Sequence, residues 1–221
     1  MSLPPLTLLE EFLLLALHDP VGQLYPLPPR ALDVATAGAV LMDLALRERI
    51  DNDLTRLFVL DRIPIEDELL DPVLQTIALA PVLTPNPITY WLTFFSEEGE
   101  ALRAKAFRRL ESRGIVRHED KKILWVFGTR RYPLIHDTER REVRMRILGC
   151  VLGNEIPSAH DVMLTGLAES CGLFRHILSA EEADAAHNRI AHIIRMDLIG
   201  QAVAGAIAQT LQGIAMASGC R

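Results

Sequence analysis

Residues 100–146 hold the groups best able to do chemistry. Fourteen of the chain's 23 Lys and Arg fall there, against seven of its 29 Asp and Glu, in a protein whose net charge is −6. An acidic chain that gathers its cations in one stretch has something anionic to meet there, and Lys and Arg are the residues that neutralise phosphates. The chemistry on offer is recognition of an anion, not the making or breaking of bonds. Other candidates are weaker. His187 and His192 are five apart, not the three or four that puts two ligands on one helix face, and His160 and His176 add no metal spacing. Ser158, His160 and Asp161 are too close-set for a catalytic triad. There is no P-loop, no Gly-rich dinucleotide fingerprint and no carboxylate pair with a supporting motif. Cys150, Cys171 and Cys220 have no CxxC spacing and read as free thiols in a reducing compartment. The expectation is a protein without metal or cofactor, and not an enzyme.

The elements that must position this stretch are mostly helices. With 221 residues, 49% of them hydrophobic and 24% charged, the chain is long enough for a proper core. Leu6, Leu9, Leu13, Leu14 and Leu17 recur at helical spacing, and Thr7 with Glu10 forms a capping box, so Thr7–Leu17 is predicted as the first helix. Glu10 and Glu11 interrupt its apolar run, which argues against a signal peptide. Asp19–Gly22 reads as a turn and Gln23–Pro29 as an extended loop. A second helix is expected over Ala31–Arg49, a small hairpin over Arg49–Leu60 turning at Asp51–Asp53, and helices over Asp67–Ala80 and Ile88–Phe95.

The cationic stretch opens with a helix predicted over Glu98–Arg113, closed by Gly114. A hairpin follows at about 115–127, with Ile115–Arg117 facing Lys122–Phe127 across His118–Lys121. Further helices are expected over Asp137–Leu152, over Ser158–Cys171 and over Ser179–Ile194, the last two opened by capping boxes. Leu198–Ser218 is apolar and rich in small residues; Gln201, Gln209, Thr210 and Gln212 interrupt it, and it is expected as a buried core helix rather than a membrane span. The fold class that follows is mainly α: a single helical domain, 1–221, around a central apolar helix, with one or two β-hairpins. The most apolar helices, the first and the last, are expected at its centre.

The run Leu6–Leu17 resembles the opening of the Golgi phosphoprotein 3 family, the phosphatidylinositol-4-phosphate-binding Golgi adaptors and their bacterial relatives. Asp19–Gly22, Gly38–Ile50, Leu60-Asp61 and Leu110–Val116 follow in the family's order, and the match resembles a bacterial-type member. The resemblance implies a helical domain with a projecting hairpin, peripheral binding to phosphoinositide headgroups, and self-association through the hairpin. The family's headgroup site is similar to an aromatic before the second helix, an Arg near that helix's start, and two Arg three apart before the hairpin. Here Arg103 matches the second of the paired arginines, Tyr25 is the nearest aromatic, Glu100 stands at the first paired position and Ala37 at the second-helix one. A carboxylate at Glu100 repels a phosphate unless it is paired.

Three functional readings follow. The first is a peripheral membrane protein on the cytoplasmic face of a membrane, binding a phosphoinositide-like or other anionic phospholipid headgroup. Arg103 would carry the contact, helped by Tyr25, Arg30 and Arg108, with Lys121, Lys122, Trp125 and Phe127 of the hairpin at the membrane or in a homo-oligomer. The second is a winged-helix-like nucleic-acid binder using the same stretch; the acidic remainder makes nucleic acid unlikely. The third is a hairpin-mediated protein-interaction module with no lipid ligand.

Overall fold

The computed structural model describes residues 4–18, 22–53, 56–80, 86–120, 130–196, 199, 201–202 and 204–209. Its elements in chain order are α1 (Leu8–Ala16), β1 (Leu17–His18), β2 (Gln23–Leu24), α2 (Pro29–Leu46), β3 (Ile50–Asn52), β4 (Leu57–Val59), α3 (Asp71–Leu79), α4 (Ile88–Ser96) and α5 (Gly99–Ser112). Then come β5 (Glu119–Asp120), β6 (Arg130–Arg131), α6 (Thr138–Leu152), α7 (Ala159–Ser170), α8 (Phe174–Ile177) and α9 (Ala180–Ile194). The fold is mainly α, with the strands in small antiparallel pairs: β1 with β2, β3 with β4, and β5 with β6.

Every residue of α1 is buried, and the helix is walled in by α2, α5, α6 and α7. Leu8, Leu9, Phe12, Leu13, Leu14 and Leu15 are all but inaccessible. At about 1.5–3 kcal/mol for each buried side chain, that is on the order of 10 kcal/mol of gross burial, comparable to the net stability of a typical domain. The helix starts where the capping box dictates: the Thr7 hydroxyl accepts from the Glu10 amide, and the Glu10 carboxylate accepts from the Thr7 amide at 2.8 Å. A second cap comes from outside, since Asp43 of α2 accepts from the Leu8 amide at 2.8 Å.

α2 shares the centre of the fold with α1. Of the expected final helix, residues 198, 200, 203 and 210–218 lie outside the described residues. α2 is buried along most of its length and touches α1, α4, α5 and α7. Its alanines make it look unremarkable by hydropathy, but small side chains let several helices approach one axis. The C-terminal residues that are described, 199, 201–202 and 204–209, are helical; Ile199 and Ile207 are buried while Gln201, Gly205, Ala208 and Gln209 are exposed. These described positions meet the core along one edge. Among the described residues, no helix is long and apolar enough to cross a membrane.

Two expected boundaries move for local reasons. α3 begins at Asp71, not Asp67, because Pro72 suits the first turn of a helix. Asp67 instead folds a turn, accepting from the amides of Leu69 and Leu70. The first hairpin reverses after Asp53, whose amide donates to the Arg56 carbonyl, so Asp51 and Asn52 belong to β3 rather than to the turn.

The hairpin of the cationic stretch pairs differently from its prediction. Gly114, at φ +72, closes α5 in the left-handed conformation. The strand that follows pairs with 130–134: Val116 bridges Leu134, the Arg117 amide donates to the Pro133 carbonyl at 3.0 Å, and Glu119 faces Arg131; the expected partner, 122–127, lies outside the described residues. The return strand is pinned from two sides. Tyr132 stacks on Phe107 of α5 with ring centroids 3.7 Å apart. Its amide donates to the Gly22 carbonyl, and a Cβ at Gly22 would sit 2.3 Å from the Pro133 nitrogen, so the approach demands glycine. Lys121, Lys122, Trp125 and Phe127 lie outside the described residues.

Candidate functional site

The first thing the structure does with the cationic stretch is to turn much of it inward. Glu10 and Glu11 are adjacent on the buried helix α1, and each meets an arginine from the stretch. Glu10 is 0% exposed. Arg109 of α5 brings its Nε to 3.2 Å from Glu10 Oε1, and its Nη1 donates to both oxygens of Asp67 at 2.8 and 2.9 Å. Glu10 Oε1 accepts no aligned hydrogen bond, so its compensation is the proximity of that charge. Glu11 meets Arg146 of α6, which also donates to Asp161 of α7, and His160 Nε2 lies 2.9 Å from Glu11 Oε2.

The electrostatics of this cluster follow from burial and pairing. Burial pulls the Arg109 guanidinium down, and Glu10 and Asp67 more than offset it, leaving it above its ordinary value. Arg146 is raised in the same way by Glu11 and Asp161 against burial. Burial pushes the Asp161 carboxyl up, but hydrogen bonds from Ser158 and Arg146 win and hold it below the usual carboxylate range. Arg140 is also turned inward, 3.6 Å from Asp137 and donating to the Leu17 carbonyl, while Arg117 pairs with Glu119 at 2.8 Å. A uniform cationic docking face is therefore corrected to something smaller: two adjacent carboxylates in a dry helix require cations, and this stretch supplies them.

What remains is a depression of about 310 Å³ beside α5, lined by Gln23, Leu24, Glu100, Arg103, Phe107 and Tyr132. Arg103 is its cation. Its Nη1 donates to Asp33 Oδ1 at 2.8 Å and to the Thr36 hydroxyl at 3.1 Å, both on α2. Gly99 makes room for that pairing, since a Cβ there would lie 2.7 Å from Asp33 Oδ1 and 3.1 Å from Arg103 Nη1. Nε and Nη2 of Arg103 donate to nothing among the described residues. The side chain is 15% exposed, and a guanidinium held by one nitrogen, with no described partner along its Nε–Nη2 edge, has the geometry to take two oxygens of a phosphate side by side. Glu100, one helical turn earlier on α5, brings a carboxylate to the same wall.

The other expected site residues are dispersed. Tyr25 follows two residues that line the depression, but its ring is stacked on His176 at 5.0 Å and meets His18 edge-on at 5.0 Å. Arg30 pairs with Glu97 at 2.9 Å and lines a different depression, about 260 Å³, with Thr89, Thr93, Ser96 and Gln209. Arg108 is exposed and makes no ion pair among the described residues. Ala37 is fully buried. Asp33 and Thr36, the residues that fix Arg103, have no sequence signal: they lie 70 and 67 positions away from it. The described residues contain no cluster of three or more His, Cys, Asp or Glu able to hold a metal ion.

A model of the Golgi phosphoprotein 3 family (GPP34) matches residues 8–210. Vacuolar protein sorting-associated protein 74 of Eremothecium gossypii is 26% identical over 205 residues, covering 83% of this chain and 59% of that relative. The chain thus spans less than two thirds of the length of the curated relative it matches.

Proposed function

The chain belongs to the Golgi phosphoprotein 3 family, and from that premise we propose that it is a peripheral membrane protein that holds the phosphate of a phospholipid headgroup. The observation that carries the reading is Arg103. It occupies a position that the family resemblance assigns to the headgroup, it lines the depression beside α5, and its Nε–Nη2 edge has no described partner while Asp33 and Thr36 fix its orientation. Pre-orientation of this kind lowers the entropic cost of binding. The aromatic pair Phe107 and Tyr132 gives the depression an apolar wall beneath the polar rim. The membrane concerned is one whose cytoplasmic face exposes phosphate-bearing heads, and the name of the curated relative, with its reference to protein sorting, is consistent with that setting.

Nucleic acid fits less well. Arg109 and Arg146 are paired with carboxylates of α1, and a net charge of −6 repels a long polyanion. The test is co-sedimentation with vesicles, with phosphatidylcholine alone as the reference and phosphatidylglycerol or phosphatidylinositol 4-phosphate as the added lipid. Arg103→Lys keeps a charge for Asp33 but loses the planar fork, and it should weaken binding several-fold. Arg103→Glu should abolish binding. Partitioning that ignores both substitutions removes Arg103 from the reading. Absence of partitioning onto any phospholipid removes the reading itself.

A further inference from the structure

We propose that Asp33 sets the charge class accepted by the depression beside α5: it adapts Arg103 to a singly charged phosphodiester and works against a phosphate monoester. The inference rests on the reading that this depression receives a phosphorylated headgroup, and it names the class. It is carried by the way Arg103 is held. Nη1 donates to Asp33 Oδ1 at 2.8 Å and to the Thr36 hydroxyl at 3.1 Å. One nitrogen serves both anchors, and only one anchor is charged. Thr36 orients the guanidinium and leaves its charge intact. Asp33 orients it and also cancels that charge.

Arginine and carboxylate thus form a neutral pair before any ligand arrives. Their side chains are 15% and 24% exposed, so water and salt screen the pair less than they screen one on the open surface. Asp33 makes no other ion pair among the described residues, and Arg30, three positions earlier on α2, is taken by Glu97 at 2.9 Å. The first turn of α5 also packs on this carboxylate: a Cβ at Gly99 would lie 2.7 Å from Asp33 Oδ1. Asp33 therefore opposes the positive end of that helix as well. What the site keeps for a ligand is the hydrogen-bonding edge Nε–Nη2, with much of the long-range attraction removed. The two bonds from that edge are the same for any phosphate. The cost of drying the ligand is not, because it grows with the square of the charge. A diester carries one charge, and a monoester about −1.5 to −2 at pH 7. The neutral pair suits the first and under-compensates the second.

The test uses the full chain and vesicles of phosphatidylcholine alone, with phosphatidylinositol, or with phosphatidylinositol 4-phosphate, the last two matched in total charge. These two lipids share the diester and the ring and differ by one monoester. The parent should bind phosphatidylinositol vesicles at least as tightly as the 4-phosphate. Asp33→Asn keeps an oxygen for Arg103 Nη1 and removes the charge. It should raise binding about threefold for phosphatidylinositol and roughly tenfold for the 4-phosphate, reversing the preference, since the effect scales with ligand charge. Binding should also fall more steeply with salt. Asp33→Ser, a second neutral substitution, carries the same expected reversal, and thermal unfolding checks that each variant is folded. Thr36→Val removes the uncharged anchor and should weaken both lipids by the same factor. If the Asp33 variants weaken both lipids alike, as Thr36→Val does, Asp33 is a positioning residue only; the inference is overturned and the membrane reading stands. A parent preference for the 4-phosphate that neither Asp33 variant changes has the same consequence. If no vesicle is bound, the membrane reading falls, and titration with soluble glycerophosphoinositol and its 4-phosphate decides the pocket chemistry. The same reversal in Asp33→Asn then upholds the inference, and binding of neither compound overturns both.

Discussion

Removing Arg109 should destabilise this protein far more than removing a surface arginine. In Arg109→Met, Glu10 keeps its hydrogen bonds from Thr7 but loses the charge that faces its Oε1 from 3.2 Å, inside a helix closed on all sides. Asp67 loses its partner too, though the backbone of its own turn still holds it. The Arg109 side chain is only 14% exposed and that of Glu10 0%, so the pair belongs to the buried regime, where removing one partner costs about 3–5 kcal/mol. For a chain of this length each kcal/mol moves the melting temperature by about 2–4 °C, so the expected loss is roughly 6–20 °C. Thermal unfolding followed by circular dichroism reads it directly. Glu10→Gln placed in the same chain keeps a capping-box side chain while removing the stranded charge, and the double variant should recover about half of the loss or more. A cost below about 1 kcal/mol for Arg109→Met, the value of an exposed pair, would refute the reasoning, as would additive losses in the double variant.

Three further outcomes follow. Asp161 has a native carboxyl pKa below its ordinary value, so the stability it contributes is present above about pH 4 and is lost as pH falls through the native value. The melting temperature should therefore decline on the acid side, and Asp161→Asn should flatten that decline; an unchanged slope would count against the pairing with Arg146. Burial pushes the Cys171 thiol up to about 12, so peptide mapping after alkylation at pH 8 should find Cys171 unlabelled in the native protein and labelled in urea. Prompt native labelling would contradict its burial. Asp43→Ala removes the side chain that accepts from the Leu8 amide and pairs with Arg47 at 2.9 Å, and should cost about 1–2 kcal/mol in urea unfolding; a neutral result would mean that water replaces the cap.

The parts of the fold legible in the sequence were those determined within a few residues. Thr7 with Glu10, Ser158 with Asp161 and Ser179 with Glu182 each open a helix where the capping box places it, because the hydrogen bonds involved span three positions. Gly114 ends α5 for an equally local reason. The errors share a different origin. The stretch 122–127 alternates well enough to be chosen as a pairing partner and lies outside the described residues, while the return strand at 130–134 is held by Phe107 and Gly22, which no window around the hairpin contains. The central role of α2 was missed because its alanines score low while packing close. At the candidate site, Arg103 and Glu100 were legible through family resemblance, and Asp33 and Thr36 were not, since they reach Arg103 from another helix. The inward turn of Arg109 and Arg146 was hidden in the same way: a charge count says how many cations a stretch holds, and only the fold says which of them face Glu10 and Glu11.

The two acidic neighbours on α1 also set an order of events. Glu10 meets an arginine 99 positions later and Glu11 one 135 positions later. The ribosome therefore releases the most leucine-rich helix of the chain long before the residues that neutralise and enclose it exist. Contacts of such separation close slowly, and until Arg146 emerges the nascent helix presents an apolar surface with two bare carboxylates. Those charges discourage the waiting segment from sticking to its copies on neighbouring ribosomes. The same glutamates that require arginines in the finished protein thus act earlier as solubilising groups for an unfinished one.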